Sequence, residues 1–336
     1  MSMDQTRRVC VIGDGGWGTT LSILLSRKGC GVTLWGAFPD YIEILKYQRE
    51  NVKFLPGVKI PEEVRITSEL GDAVGASTFV ILAVPSQYMR GILMRIKMLD
   101  LAAKVFVSVT KGIENSTLMT MSGLVAEVLG ERPFAVLSGP TIALEVANGI
   151  PTNAVVASKD AELAREMQEM FMTERFRVYT NSDLAGVELG GSLKNIIAIA
   201  AGVCDGLGFG TNAKAALLTR GIVEIVRLGA AMGAQGRTFY GLSGLGDLAT
   251  TCMSPYSRNR WLGEEIARGK KLNDILKETE MVVEGVATTK SAHELARRYK
   301  VEMPIANEIY RVLYEAKDPR VAVRDLMTRP SKAEEM

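Results

Sequence analysis

The sequence predicts an α/β domain built on a mostly parallel sheet, followed by a second, mostly helical domain. Three observations carry this reading. Up to about residue 185, short β-rich runs alternate with helical patterns, as strands joined by crossover helices do. The first run ends in a glycine-rich turn that opens a helix. After about Ser182 no strand candidate recurs, and Ala- and Leu-rich helical stretches continue from there. The expected domains are therefore 1–185 and 186–330.

In order, the strand candidates are Arg8–Gly13, Val32–Gly36, Thr78–Val84, Lys104–Thr110, Phe134–Ser138, Ala154–Ala157 and Phe176–Thr180. Runs that are apolar throughout, such as Thr78–Val84, suit strands covered on both faces. A helix is expected over Thr19–Lys28, ended by Gly29, and another over Ala161–Phe171. Leu184–Gly206 and Ala213–Met232 follow as long helices, with more after Arg258. Gly186–Ser192 (GVELGGS) reads as the junction between domains, and the polar stretch Arg329–Met336 is expected to fray.

Composition narrows the class. The chain has 336 residues, 47% hydrophobic and 23% charged, enough apolar surface to offset the entropy of ordering. Forty basic against thirty-eight acidic residues leave a net charge of +2 with no dense basic run, so neither nucleic acid nor anionic membrane is expected as a partner. The most tempting charge-free stretch, between Asp72 and Arg90, contains Gly75, Ser77, Pro85 and Gln87 and falls short of the ~20 apolar residues of a span. Met1–Arg8 is polar and lacks the apolar core of a signal peptide, so a soluble cytoplasmic protein is expected. Cys10, Cys30, Cys204 and Cys252 show no paired spacing, which reads as reduced, mostly buried thiols and no metal site. With His293 as the one histidine, a multi-histidine metal site cannot be built. A general acid or base is then expected to be Lys, Asp or Glu.

The strongest motif is Gly13-Asp14-Gly15-Gly16-Trp17-Gly18, a G-x-G-x-x-G directly after a strand and opening a helix. In a dinucleotide site Gly13 would permit the tight turn, Gly15 the approach of a pyrophosphate, and Gly18 close helix–strand packing. The helix N-terminus would offer its N–H groups to the phosphates. The plain alternative is a glycine turn. At the end of the second strand stands Leu34-Trp35-Gly36-Ala37-Phe38-Pro39-Asp40, with no cation for a 2′-phosphate and no acid right at the strand end, which favours NAD over NADP. Phe38 and Tyr41 otherwise read as loop packing.

Lys111 lies just past the carboxyl end of a strand, the edge that faces ligands in an open parallel sheet. It is either a ligand contact or a solvated lysine. Lys194 opens a segment, Asn195–Cys204, with no charge and apolar residues on every face. Such a helix is buried, so Lys194 reaches a cleft, a partner carboxylate or a domain interface, or else snorkels at a helix start. Desolvation would bring its pKa toward neutrality. Gly241–Asp247 is glycine-rich and ends in an acid, either an N-cap or a ligand contact. Ser257, Arg258 and Asn259 are the donors a phosphate needs, or a surface loop with Arg260.

Together these pieces resemble one family, the NAD(P)-dependent glycerol-3-phosphate dehydrogenases of the soluble bacterial kind. The carrying stretches are Gly13–Gly18, Phe54–Gly57, Ala83–Ser86, Thr110–Gly112, Leu137–Thr141, Lys194-Asn195, Gly244–Asp247, Ser257–Asn259 and Val283–Val286. The resemblance implies a Rossmann-like, doubly wound sheet, a helical substrate domain and a homodimer. It also implies reversible reduction of dihydroxyacetone phosphate to sn-glycerol 3-phosphate, which feeds phospholipid synthesis. By position it implies Lys194 as proton acceptor, and Lys111, Gly139, Thr141, Lys194, Asp247, Ser257, Arg258 and Asn259 around the substrate. Gly13, Gly15, Gly16, Trp17, Gly18, Phe38, Lys111, Ala143, Arg258, Val282 and Glu284 would hold NAD or NADP. Members often carry Ser or Asn where Gly16 stands, and many carry a basic residue near Ala37–Phe38. The rival readings are a related two-domain dehydrogenase of another phosphorylated or sugar acid substrate, and a dinucleotide-binding sensor without turnover.

Overall fold

The β-branched runs of the first half form one eight-stranded sheet in the order β3-β2-β1-β4-β5-β6-β7-β8. The computed structural model describes residues 7–331, 333 and 334; most of the polar N-terminal stretch and part of the C-terminal one lie outside them. Two units are present. The first runs to Thr110 and resumes over Met121–Leu184. It contains β1 (Arg8–Ile12), α1 (Gly16–Arg27), β2 (Gly31–Trp35), α2 (Pro39–Gln48), β3 (Arg65–Thr67), α3 (Leu70–Gly75), β4 (Phe79–Leu82) and α4 (Met89–Ile96). Then come β5 (Val105–Ser108), α5 (Met121–Leu129), β6 (Phe134–Ser138), α6 (Ala143–Ala147), β7 (Thr152–Ala157), α7 (Ala161–Phe171) and β8 (Phe176–Asn181).

Neighbouring strands are parallel except β6 and β7, which pair antiparallel, Leu137 opposite Val156. The strand order reverses between β1 and β4, the switch point at which doubly wound sheets open a ligand crevice. The fold class is the one the sequence implied. One short strand escaped it: β3 has three residues at the sheet edge and no apolar run to announce it. α1 begins at Gly16, not Thr19, because the turn is complete at Gly15 and the last glycine residues already have helical backbone.

The second unit takes Lys111–Thr120 and everything from Ala185. Its helices are α8 (Leu184–Gly206), α9 (Thr211–Ala231), α10 (Asp247–Met253), α11 (Arg258–Ala267), α12 (Leu272–Lys277), α13 (Glu284–Tyr299), α14 (Pro304–Tyr314) and α15 (Pro319–Met327). Gly186–Ser192 follows immediately on the division between the units, after Leu184. It lies inside α8 and is almost entirely buried, and a Cβ on Gly190 would stand 2.9 Å from the Ser243 carbonyl oxygen. These small residues serve close approach of the backbone, which a glycine-rich string does not distinguish from a hinge. By length and composition α8 could cross a membrane, yet 94% of its most apolar window is buried inside the protein.

α9 and α14 are joined by a buried acid. The Glu224 carboxylate accepts from the backbone N–H groups of Ile305 (2.7 Å) and Ala306 (3.1 Å), free donors at the N-terminus of α14. Burial pushes its carboxyl up to about 7, against the opposing pull of those two N–H groups. A raised folded-state pKa means the group contributes stability below its ordinary value of 4.5 and loses it as pH rises through about 7. The stability of the protein relative to Glu224→Gln should therefore decline between pH 5 and pH 8. Urea unfolding of both chains at four pH values checks this, and a constant difference would contradict it.

Candidate active site

In the first unit the glycine loop is shaped by close backbone approach. Gly13 has φ +121°, and a Cβ there would lie 2.8 Å from the Ala83 carbonyl carbon, where the loops after β1 and β4 meet. A Cβ on Gly18 would strike the Gly13 carbonyl oxygen at 1.9 Å, which is the tight packing of helix on strand that its position predicted. Gly16 is equally constrained, its Cβ position lying 2.6 Å from the Phe54 carbonyl oxygen. Gly15 differs. Nothing lies within 4 Å of a Cβ built there, it ends the loop as N-cap of α1, and no side chain caps that helix. Uncapped N–H groups under open space, with no acid in the first turn, fit a pyrophosphate. The residues present therefore suit a dinucleotide.

Around this loop, Trp17 packs its ring 6.4 Å from Phe176. The Ala143 carbonyl accepts from the Thr20 hydroxyl (3.1 Å), which ties the start of α6 to α1. Gly139, with φ +132°, and Thr141, whose hydroxyl donates to the Gly139 carbonyl (3.2 Å), follow the end of β6. Phe38 is 70% exposed just beyond β2, so it does not pack a loop as the sequence allowed; Tyr41 does. Asn51 was not foreseen. Fully buried, it donates to the Asp14 carbonyl (2.8 Å) and the Thr19 hydroxyl (2.7 Å), and accepts from the Tyr41 hydroxyl (2.7 Å). That one amide fastens the segment before Phe54–Gly57 to the glycine loop. No pattern announces such a residue, since a buried Asn looks like a loop Asn until its partners are known.

The second unit gathers the charged candidates. Lys194, 5% exposed, donates to Asp247 Oδ1 at 2.6 Å and to the Thr251 hydroxyl. Lys111 Nζ lies 2.7 Å from Asp247 Oδ2, an ion pair without directed hydrogen-bond geometry. One carboxylate, 2% exposed, thus faces two ammonium groups. Of the alternatives open for Lys194, the partner carboxylate is the one realised, and a snorkelling lysine is ruled out. Burial lowers the Lys194 pKa to about 8, with the Asp247 charge opposing and the Lys111 charge adding to the fall. Asp247 is not an N-cap. Gly246 holds that place and Asp247 is the first residue of α10, after an unusually wide turn over Leu242–Gly246. Thr251, one helical turn on, was missed, though its i+4 spacing from Asp247 is legible.

Ser257, Arg258 and Asn259 are a helix start rather than a loop. Ser257 caps α11 by accepting from the Arg260 N–H (3.2 Å). Arg258 is exposed at the first helical position, and no described residue pairs with its guanidinium. Buried Asn259 donates to Asn195 Oδ1 (2.9 Å) and accepts from the Gly285 N–H (2.9 Å), joining α11 to α8 and to the first turn of α13. Glu284 begins that turn, with Val282 exposed just before it. Asn195 also reaches the Lys111 carbonyl at 3.4 Å. His293 stands apart, stacked on Tyr310 at 3.8 Å.

Both halves of the chain match models of one protein family. Residues 8–164 match the N-terminal model of NAD-dependent glycerol-3-phosphate dehydrogenase, and residues 183–324 its C-terminal model. A glycerol-3-phosphate dehydrogenase (NAD(P)+) of Geobacter sulfurreducens is 50% identical over 333 residues, 98% of this chain and 99% of the relative. One of Syntrophotalea carbinolica is 51% identical over 327 residues, 96% and 98% of the two chains. Among solved structures, glycerol-3-phosphate dehydrogenase of Coxiella burnetii superposes with a TM-score of 0.94 at 37% identity, covering 96% of this chain and 99% of that one. The Saccharomyces cerevisiae enzyme gives 0.81 at 27% identity, covering 97% and 100%. The chain belongs to the NAD-dependent glycerol-3-phosphate dehydrogenase family.

Proposed function

We propose that this protein interconverts dihydroxyacetone phosphate and sn-glycerol 3-phosphate with NAD(H) or NADP(H), supplying glycerol 3-phosphate for phospholipid synthesis, and that Lys194 moves the proton. The observation that carries this is the buried Lys194 ammonium held against Asp247, with a pKa brought down to about 8. A group titrating near neutrality serves as donor in one direction and acceptor in the other. The nicotinamide, when bound, supplies or takes the hydride. Lys194 gives its proton to the substrate carbonyl oxygen during reduction and takes the hydroxyl proton during oxidation. Asp247 keeps the ammonium in place and offsets its charge, and Lys111 provides a second cation beside the developing alkoxide.

For the phosphate, Arg258 is the uncommitted guanidinium, Ser257 stands beside it, and Asn259 keeps one amide hydrogen for a ligand. Gly139 and Thr141 complete the proposed substrate contacts. The dinucleotide is assigned to Gly13, Gly15, Gly16, Trp17, Gly18 and Ala143, with Phe38 offering an exposed ring to the adenine. Lys111, Arg258, Val282 and Glu284 are assigned to it as the resemblance implies. NAD(H) is read as used at least as well as NADP(H). Of the cations that follow β2, Arg49 is committed to the Val64 carbonyl (3.0 Å) and Glu62 (3.5 Å). Residues 1–185 are read as the dinucleotide-binding part and 186–330 as the substrate-binding part of a cytoplasmic homodimer.

Oxidation of NADH on addition of dihydroxyacetone phosphate tests the activity, and 6-phosphogluconate in its place tests the rival substrate class. Lys194→Met keeps the stem and removes the amine. Its kcat should fall by roughly 10²–10⁴, the range general acid–base catalysis supplies. Dinucleotide affinity, read by fluorescence, should stay near wild type, and near-normal turnover would remove Lys194 from the role. Arg258→Ala should lose on the order of 30-fold or more in kcat/KM, as loss of a charge-assisted partner costs about 2–5 kcal/mol. With dihydroxyacetone, which has no phosphate, that loss should shrink sharply; an equal loss on both substrates would move Arg258 out of the phosphate site.

A further inference from the structure

The carboxyl end of β2 lacks the acid that ordinarily accepts the 2′-hydroxyl of an adenosine ribose; it reads Gly36-Ala37-Phe38. The space where a side chain at position 36 would begin is already taken. A Cβ on Gly36 would lie 2.6 Å from Asp14 Cγ, 2.6 Å from Ile42 Cδ1 at the end of a flexible side chain, and 2.7 Å from Asp14 Oδ2. The carboxylate there belongs to the glycine loop itself. A backbone bond holds loop and strand end together, Gly13 N–H to the Trp35 carbonyl (2.9 Å), and Gly36 N–H to the Thr67 carbonyl (3.1 Å) ties the strand end to β3. Below, the Asp14 carbonyl is fixed by Asn51 (2.8 Å).

Asp14 Oδ2 is buried without a hydrogen-bond partner, while the residue as a whole remains partly exposed at the loop surface. A buried carboxylate oxygen with no donor is costly, and the part of Asp14 that stays exposed at the loop surface is what a ligand hydroxyl would meet. Burial raises the carboxyl pKa of Asp14, with its own backbone N–H and the Lys53 charge opposing. Lys53 stands with Nζ 5.6 Å and 5.4 Å from the ring centroids of Tyr41 and Phe54. An acid and a cation of opposite preference for a 2′-phosphate therefore flank this corner.

We propose that Asp14 replaces the absent β2 acid: its carboxylate receives the 2′-hydroxyl of the adenosine ribose and disfavours a 2′-phosphate, making it the residue that sets selectivity between NAD(H) and NADP(H). This rests on reading the glycine loop as the dinucleotide site. Swapping the acid for a neutral isostere removes both the acceptor of full charge and the repulsion.

The test is direct binding, independent of turnover. Dissociation constants for NADH and NADPH are measured by cofactor fluorescence for wild type, Asp14→Asn, and Asp14→Ala combined with Gly36→Asp. Thermal melts run in parallel. In Asp14→Asn the ratio Kd(NADPH)/Kd(NADH) should fall at least tenfold, through weaker NADH and tighter NADPH binding, and the NADPH gain should shrink as salt is raised. In the double variant, which returns an acid to the end of β2, the ratio should recover to within threefold of wild type. A ratio within twofold of wild type in Asp14→Asn, or equal loss of both cofactors, would overturn the proposal by making Asp14 a space-filler. So would a double variant that stays unselective. Wild-type protein that binds neither cofactor would overturn the dinucleotide reading along with it. Intact wild-type binding with an unmoved ratio would overturn the role of Asp14 alone.

Discussion

A single carboxylate buried between two ammonium groups organises the second unit. Lys194 lies on a helix that is almost wholly buried, where an unpaired charge is not tolerated. Asp247 supplies the counter-charge only because the wide turn over Leu242–Gly246 brings the first residue of α10 against α8. Lys111 completes the cluster, and the ten-residue segment it begins packs with the helical unit although the sheet's strands precede and follow it in sequence. Thr251 accepts from Lys194 and donates to the Asp247 carbonyl (2.6 Å), closing the ring of partners. Removing one member of such a set leaves another charge without compensation, which typically costs more than the pair contributes.

In the first unit the governing constraint is steric rather than electrostatic. Backbone passes so close to Gly13, Gly16 and Gly18 that a methyl group at any of them would collide with a main-chain atom. Gly15 alone faces open space. Three glycines thus shape the turn and the fourth leaves room above a helix N-terminus. At Gly16 a side chain is excluded, because its Cβ would lie 2.6 Å from the Phe54 carbonyl oxygen.

Much of this was readable from residue order. The strands with continuous apolar runs, the glycine loop, the change of texture near Ser182 and the buried setting of Lys194 all follow from local pattern. Three features did not. β3 is a three-residue edge strand whose pairing, not its composition, makes it a strand. Gly186–Ser192 reads as a domain junction and not as buried helix, because sequence shows the absence of side chains and not the backbone that fills their space. Asn51, Asn195 and Asn259 act through hydrogen bonds to partners distant in the chain, to which no spacing rule applies. Arg258 was legible as a phosphate donor by type, but only the fold shows it to be unpaired among the described residues while neighbouring Arg260 is spent on Asp205 at 2.6 Å.

The central claim is that one buried lysine, titrating near pH 8, handles the proton in both directions. The most direct measurement is kcat/KM against pH, from 7 to 10, for both reactions on the same protein. Oxidation of glycerol 3-phosphate needs the neutral amine and should rise with pH through about 8. Reduction of dihydroxyacetone phosphate needs the ammonium and should fall through the same midpoint. Profiles that are flat, or that move in the same direction, would contradict the account.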